Sequence, residues 1–190
     1  MVDAVLVAFI IGLLTLLYAG FLVYSINKAP RGNEKMQDIA KAIQEGANAF
    51  LSMQYKTLAP IVVILFAVIY FVINQNTAVA FLVGVVSSAL AGYIGMQISV
   101  RDNVRVAEAA KSGLDKALSL AFKGGAVTGF ALAGLGLLGL AAIYFIFGDL
   151  GTLIGYGFGA SLISLFASVG GGIYTKAADV GADLVGKIEK

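Results

Sequence analysis

The sequence predicts an all-α protein, a polytopic bundle of about five transmembrane helices. Of its 190 residues, 59% are hydrophobic and only 13% are charged, and the mean hydropathy is +0.93. These values are far from those of an ordinary soluble domain. The apolar residues are grouped in runs that approach or exceed the roughly 20 residues a spanning helix needs. We therefore expect an integral membrane protein, and the sequence fits a plasma membrane and an internal membrane equally well.

Five apolar runs are candidate spans, at about residues 4–26, 57–74, 78–100, 126–147 and 152–174. The first has no basic segment before it, and its positive flank, Lys28 and Arg31, follows it. This arrangement predicts an uncleaved membrane anchor and not a secretory signal peptide.

The charges between the runs predict the orientation. All 13 Lys and Arg residues lie in or border three long polar segments, residues 28–56, 101–123 and the tail from 175. The start of the chain and the two short loops carry only Asp3 and Asp149. By the positive-inside rule, the long segments are cytoplasmic and the N-terminus is outside.

The long segments have helical patterns of their own. "MQDIAKAIQEGANAFLSMQY" places Ile39, Ile43, Ala47 and Phe50 on one helical face, with Pro60 near the entry of the second span. The segment after the third span is rich in alanine, apart from Gly113. We therefore expect long helices that extend into the cytoplasm and not a separate soluble domain.

Small residues recur at four-residue spacing within the predicted spans. Such spacing lets helix backbones approach closely in lipid and predicts many helix neighbours. The sets are Gly84 and Ser88, Gly125 and Gly129, Gly155 and Gly159, and Ser164, Ser168 and Gly172.

The amino-acid composition restricts the kinds of binding site that the chain can form. The chain has no cysteine and no histidine, so any metal site must use oxygen ligands such as carboxylates, which suit hard cations. A net charge of +2 without a basic run interleaved with aromatic residues gives no support to nucleic-acid binding.

The stretch "GGGIYTKAADVGADLVGKIEK", residues 170–190, concentrates charge directly behind the fifth span. Asp179, Asp183 and Lys187 follow one another at four-residue steps, and Lys176 lies three residues before Asp179, so a helix would align them on one side. Spacing alone favours a solvated helix face. The alternative is a site where carboxylates hold Mg²⁺ and a lysine meets phosphate oxygens.

Part of this stretch, "GADLVGK", matches the G-x-x-x-x-G-K spacing of a nucleotide-binding P-loop. Ile188 stands where that loop needs Ser or Thr, and an apolar helix precedes the match where a strand is required. "GGGIYT" likewise lacks the G-x-G-x-x-G spacing of a dinucleotide site. We expect neither nucleotide site.

The segment "GGGIYTKAADVGADLVGK" closely resembles the signature of membrane-integral pyrophosphatases, which pump H⁺ or Na⁺ by hydrolysing inorganic pyrophosphate. "IAKAIQEGANAFLSMQY" and "GMQISVRDNVRVAEAAKSGLDKALSLAFKGGAVTGF" also resemble early cytoplasmic stretches of this family. The resemblance therefore covers most of the chain, in order.

The resemblance implies roles that composition and spacing do not show. Lys176 would contact pyrophosphate, and Asp179 and Asp183 would hold Mg²⁺, with Lys187 as a further substrate contact and Glu189 as a further metal ligand. No catalytic residue is assigned, because the hydrolytic water would be activated by aspartates on other helices. The resemblance also implies a homodimer and leaves a K⁺ requirement open.

The sequence departs from the family pattern in two ways. Ser168 stands where the family has an arginine associated with the ion path, and Met53 where a basic residue is common. Family members also resemble a much longer bundle. We therefore expect residues 1–190 to form one membrane domain, the N-terminal part of a pump completed by further helices and inactive without them.

A rival hypothesis is a small five-helix structural or assembly protein without catalysis, which the charge pattern and the small-residue pairs fit equally well. A passive channel is the weaker alternative, because no predicted span has an ionisable residue near its middle.

Overall fold

The computed structural model describes residues 2–188, and in this part of the chain five α-helices form and no strand does. They are α1 (Val2–Asn27), α2 (Glu34–Val72), α3 (Gln75–Ala110), α4 (Leu114–Phe147) and α5 (Leu150–Ile188). Each is long and apolar enough to cross a membrane. The prediction of an all-α bundle with five spans is confirmed, while the predicted site residue Glu189 lies outside the described residues.

Helices α2 to α5 are longer than a span requires. They contain 39, 36, 34 and 39 residues, against the roughly 20 that cross a bilayer. Helix α2 runs continuously through Pro60, and the helical pattern predicted for its first half is confirmed. Helices α3 and α4 are separated at Gly113, whose φ of +119° is a conformation that favours glycine.

The two short loops are tighter than the predicted segments 74–77 and 148–151. Asn74 caps α3, because its side-chain oxygen accepts a hydrogen bond from the Thr77 amide at 2.8 Å. Asp149 does the same for α5, accepting from the amides of Gly151 at 3.1 Å and Thr152 at 3.0 Å. These caps start each helix inside the polar segment.

Helix α3 is central to the bundle. It packs against α2, α4 and α5, and α1 packs mainly against α4. One apolar core between α2, α3 and α5 contains Leu58, Phe81 and Ile163. A second core between α1, α3 and α4 contains Ile26 and Val127. Burial of these side chains holds the helices to one another.

Helices α3 and α5 approach closely at the predicted glycines. A Cβ atom added to Gly84 would lie 2.9 Å from the carbonyl carbon of Tyr156, and one added to Gly159 would lie 2.9 Å from the Val85 nitrogen. A Cβ on Gly155 would likewise overlap α3. This region, the α3–α5 crossing, confirms the expected close packing at these three positions.

Three other glycines of the four-residue pattern do not serve this purpose. Among the described residues, a Cβ atom added at any of them would meet no atom of a neighbouring helix within 4 Å: Gly125, Gly129 and Gly172. Small-residue spacing therefore marks helix contacts in the described chain at some sets and not at others.

Candidate functional site

The predicted site residues Lys176, Asp179, Asp183 and Lys187 all lie on α5. At about 100° per residue, the four positions fall within a sector of roughly 80° around the helix axis. All four side chains are exposed, as is every residue from 175 to 188. We call this set of four residues the charged face.

One ion pair forms on the charged face. The Lys176 Nζ lies 3.9 Å from Asp179 Oδ2, and these side chains are 77% and 69% exposed. No cluster of three or more potential metal-ligating Asp, Glu, His or Cys residues occurs within residues 2–188. The charged face therefore contributes two carboxylates and two ammonium groups to any larger site.

The charged face points away from the other four helices. Near this end, α5 packs through Gly170 and Tyr174, whose ring lies 5.2 Å, centroid to centroid, from that of Phe50 on α2. Further back, α5 packs through the buried Ile163. On an ideal helix these packing positions lie roughly 150° around the axis from the middle of the charged face. Partners for the charged face must therefore come from outside α1 to α4.

Ser168, the predicted departure in the ion path, lies on the exposed part of α5. Its hydroxyl donates a hydrogen bond to the Ser164 carbonyl at 3.0 Å in the same helix. A serine that bonds its own helix in this way satisfies its donor without a partner helix. Its role in an ion path stays a prediction.

The two glycine-rich stretches that resemble nucleotide motifs are helical. Residues 170–172 and 181–187 belong to α5 without interruption. A phosphate-cradling loop needs backbone amides freed between a strand and a helix, and a continuous helix uses those amides internally. The expectation that neither stretch is a nucleotide loop is confirmed.

Comparison with known proteins identifies the family. The family model described as "Inorganic H+ pyrophosphatase" matches residues 13–190. The chain belongs to this family. The resemblance seen in the three quoted stretches is confirmed, and the five helices belong to an integral membrane protein.

Members of this pyrophosphatase family are similar to the chain over most of its length. A K(+)-insensitive pyrophosphate-energized proton pump from Methanosarcina mazei is 56% identical over 180 residues, which cover 94% of this chain and 27% of that protein. A second proton pump with this description, from Moorella thermoacetica, is 50% identical over 186 residues. A putative K(+)-stimulated pyrophosphate-energized sodium pump from Clostridium tetani is 47% identical over 179 residues. The chain spans about 27% of the length of each.

Sequence analysis of this pyrophosphatase-family chain missed two buried ionisable residues on α3. Asp102 is 4% exposed and Arg105 is 2% exposed. The Asp102 carboxylate packs directly against Gly124 of α4, where a side chain would displace it. The available signal was helical spacing, because Ile98, Asp102 and Arg105 follow one another at four- and three-residue steps and so lie on one face of α3.

Proposed function

We propose that this chain is part of a cation pump that hydrolyses magnesium-pyrophosphate at the cytoplasmic face and couples hydrolysis to movement of H⁺ or Na⁺ across the membrane. Family membership and the names of the relatives support the activity. The observation that carries the location is the charged face, which is exposed, helical and turned away from α1 to α4.

The charged face has the chemistry for this substrate. Lys176 and Lys187 supply ammonium groups for the phosphate oxygens of pyrophosphate, because a lysine acts as a compact positive charge toward phosphate. Asp179 and Asp183 are one helical turn apart and supply oxygen ligands for Mg²⁺, with Glu189 as a further ligand. Magnesium is commonly held by one or two carboxylates together with substrate phosphates, so two aspartates on one helix fit it.

The residues of this chain would bind and position the substrate. Bound Mg²⁺ would neutralise the charge that develops on the transferred phosphoryl group. Lys176 would fix one phosphate beside Asp179, and because both side chains are largely exposed the pair is free to separate around a ligand. No residue of the charged face is assigned as nucleophile or general base.

The rest of the pump is part of the proposal. Residues 1–190 act as one membrane domain, and further helices of the same pump supply the remaining metal ligands and the residues that activate water. The complete pump works as a homodimer in the lipid bilayer, and K⁺ is a candidate second cofactor. Because the chain spans about 27% of its relatives, the 190 residues alone are expected to release no phosphate from pyrophosphate.

Substitution of the charged face in the complete protein tests the assignment. Lys176→Ala and Asp179→Ala should each lower magnesium-dependent phosphate release by about 100-fold or more, the usual cost of removing one charge-stabilising group from an active site. Lys116→Ala and Asp115→Ala remove the same charges from exposed positions on α4 and should leave the rate near that of the unmodified protein. Normal hydrolysis in either charged-face variant would refute the assigned roles and favour the structural or assembly hypothesis.

A further inference from the structure

A polar cavity of about 520 Å³ lies between the end of α1, the first turns of α2 and the last third of α3. Four cationic side chains line it: Arg31, Lys41, Arg101 and Arg105. The only carboxylate on its described wall is Asp38. Four cations against one carboxylate leave an excess of three positive charges around one cavity.

Arg105 forms the buried part of this wall and is 2% exposed. Its Nη1 donates to the Arg101 carbonyl at 2.5 Å, and its Nη2 donates to the Asn27 Oδ1 at 3.3 Å. Its Nε is buried and has no hydrogen-bond partner within the described residues. Two neutral acceptors satisfy part of the guanidinium and leave its charge without an ion pair.

No described carboxylate neutralises the other three cations. The ion pairs formed within residues 2–188 are Lys111 with Glu108 and Lys176 with Asp179, and neither involves the cavity. Asp102 lies about one turn from Arg105 and offsets part of its charge electrostatically, but its carboxylate packs against Gly124 and forms no ion pair with the guanidinium. Leaving a buried cation unpaired is costly, so the cavity has a strong electrostatic preference for an anion.

The position of the cavity indicates the kind of anion. It begins at Asn27, where α1 ends, and reaches Arg101, directly after the apolar run of α3. Lys28 lies beside it with its Nζ 4.3 Å from the centre of the Tyr24 ring, and aromatic and basic residues of this kind concentrate at the headgroup level of a bilayer. The cavity therefore lies at the predicted cytoplasmic membrane surface.

The apolar surface next to the cavity suits lipid chains. Phe21 and Tyr24 on α1 are 61% and 60% exposed, and they lie on the membrane side of Asn27. We propose that this cavity binds the phosphate group of an anionic phospholipid of the cytoplasmic leaflet, with Arg31, Arg101 and Arg105 around the phosphate and the acyl chains along α1. Basic pockets between transmembrane helices on the cytoplasmic side suit such headgroups, and the planar guanidinium fork matches phosphate oxygens.

The proposal is tested by measuring the equilibrium binding of fluorescent phosphatidylglycerol to the complete protein in uncharged detergent. Arg31→Gln and Arg101→Gln are the informative variants, because both side chains are exposed and their loss leaves the helix packing intact. Each should weaken binding about fivefold, the equivalent of about 1 kcal/mol for one basic residue near an anionic lipid. Lys116→Gln removes one exposed positive charge of α4 outside the cavity and should leave the affinity unchanged.

Competition separates the lipid from a free anion. Unlabelled phosphatidylglycerol should displace the probe, whereas phosphatidylcholine and inorganic phosphate at the same concentration should not. Displacement by inorganic phosphate would overturn the lipid assignment and indicate a site for a soluble anion. Equal binding of phosphatidylglycerol and phosphatidylcholine, or unchanged affinity in both arginine variants, would overturn the proposal and indicate that protein covers the cavity.

Discussion

The two halves of α5 differ in their surroundings, because the first is packed against another helix and the second is exposed. The first half packs at the α3–α5 crossing, where Gly155 and Gly159 bring its backbone against α3. The last part carries the charged face and is exposed from residue 175 onward. Glycine is present in both parts, since Gly181 and Gly186 lie among the charged residues, where a Cβ added to either would have no neighbouring atom of residues 2–188 within 4 Å.

This difference separates residues that hold the fold from residues available for chemistry. At the α3–α5 crossing the glycines bring backbone atoms of the two helices into direct contact. On the charged face the side chains are free of α1 to α4 and form a single exposed ion pair. Substitutions should therefore change stability in the first region and activity in the second.

The largest effect on stability is expected at the α3–α5 crossing. Gly159→Ala would place a Cβ against the backbone of Phe81 and Val85, which cannot move aside as a flexible side chain can. We expect a loss of about 3 kcal/mol in the free energy of unfolding, at the upper end for an overpacked contact. Reversible unfolding in mixed detergent micelles, followed by circular dichroism, measures it.

The control for this variant is Gly129→Ala on α4, where a built Cβ meets no neighbouring atom. Because alanine favours a helix interior over glycine by roughly 1 kcal/mol, this change should raise stability slightly. The two alanine variants are therefore expected to differ in sign. A gain in stability for Gly159→Ala would contradict the close packing of α3 and α5.

A smaller effect on stability is expected at the boundary between the two parts of α5. Phe50→Ala removes the ring that contacts Tyr174 and Gly170, the last packing positions before the charged face. We expect a loss of about 2 kcal/mol in the free energy of unfolding, from the aromatic pair and the space left by a half-buried ring. Phe71→Ala, at an 83% exposed position of the same helix, should change it by less than about 0.5 kcal/mol.

A pH-dependent effect is expected at the start of α5, where Asp149 caps the helix. Hydrogen bonds from Gly151 and the Thr152 hydroxyl lower the pKa of this carboxyl from its usual range. A lowered folded-state pKa gives stability that is present above the unfolded pKa of about 3.9 and is lost as the pH falls through the folded value.

Asp149→Ala should therefore lower the unfolding temperature at neutral pH by less than Phe50→Ala does. Unfolding temperatures of the variant and the unmodified protein, measured from pH 7 downward, should converge only below about pH 4. A difference that persists unchanged at the acidic end would show that the carboxylate does not act through these hydrogen bonds.

The sequence predicts the helices and the charged face well because both depend only on the spacing of residue types along the chain. Five apolar runs are sufficient for five spans, and steps of three and four residues are sufficient to align Lys176, Asp179 and Asp183. Which side of α5 carries them relative to the bundle depends on Tyr174 meeting Phe50, a contact between residues far apart in sequence. The cavity around Arg105 was missed for the same reason, since its walls come from three helices.

The smallest effect on stability is expected on the charged face itself. Lys176→Ala removes one partner of an ion pair whose side chains are 77% and 69% exposed, with a separation of 3.9 Å. Exposed pairs of this kind contribute about 0–1 kcal/mol, so the free energy of unfolding should change by less than about 0.5 kcal/mol. Lys116→Ala on α4 should behave in the same way, so the two lysine variants would differ only in phosphate release by the complete protein. If Lys176→Ala instead lowered both the free energy of unfolding and the rate of hydrolysis, this lysine would hold the helix in place. The division of α5 into a packing part and a part available for chemistry would then be wrong.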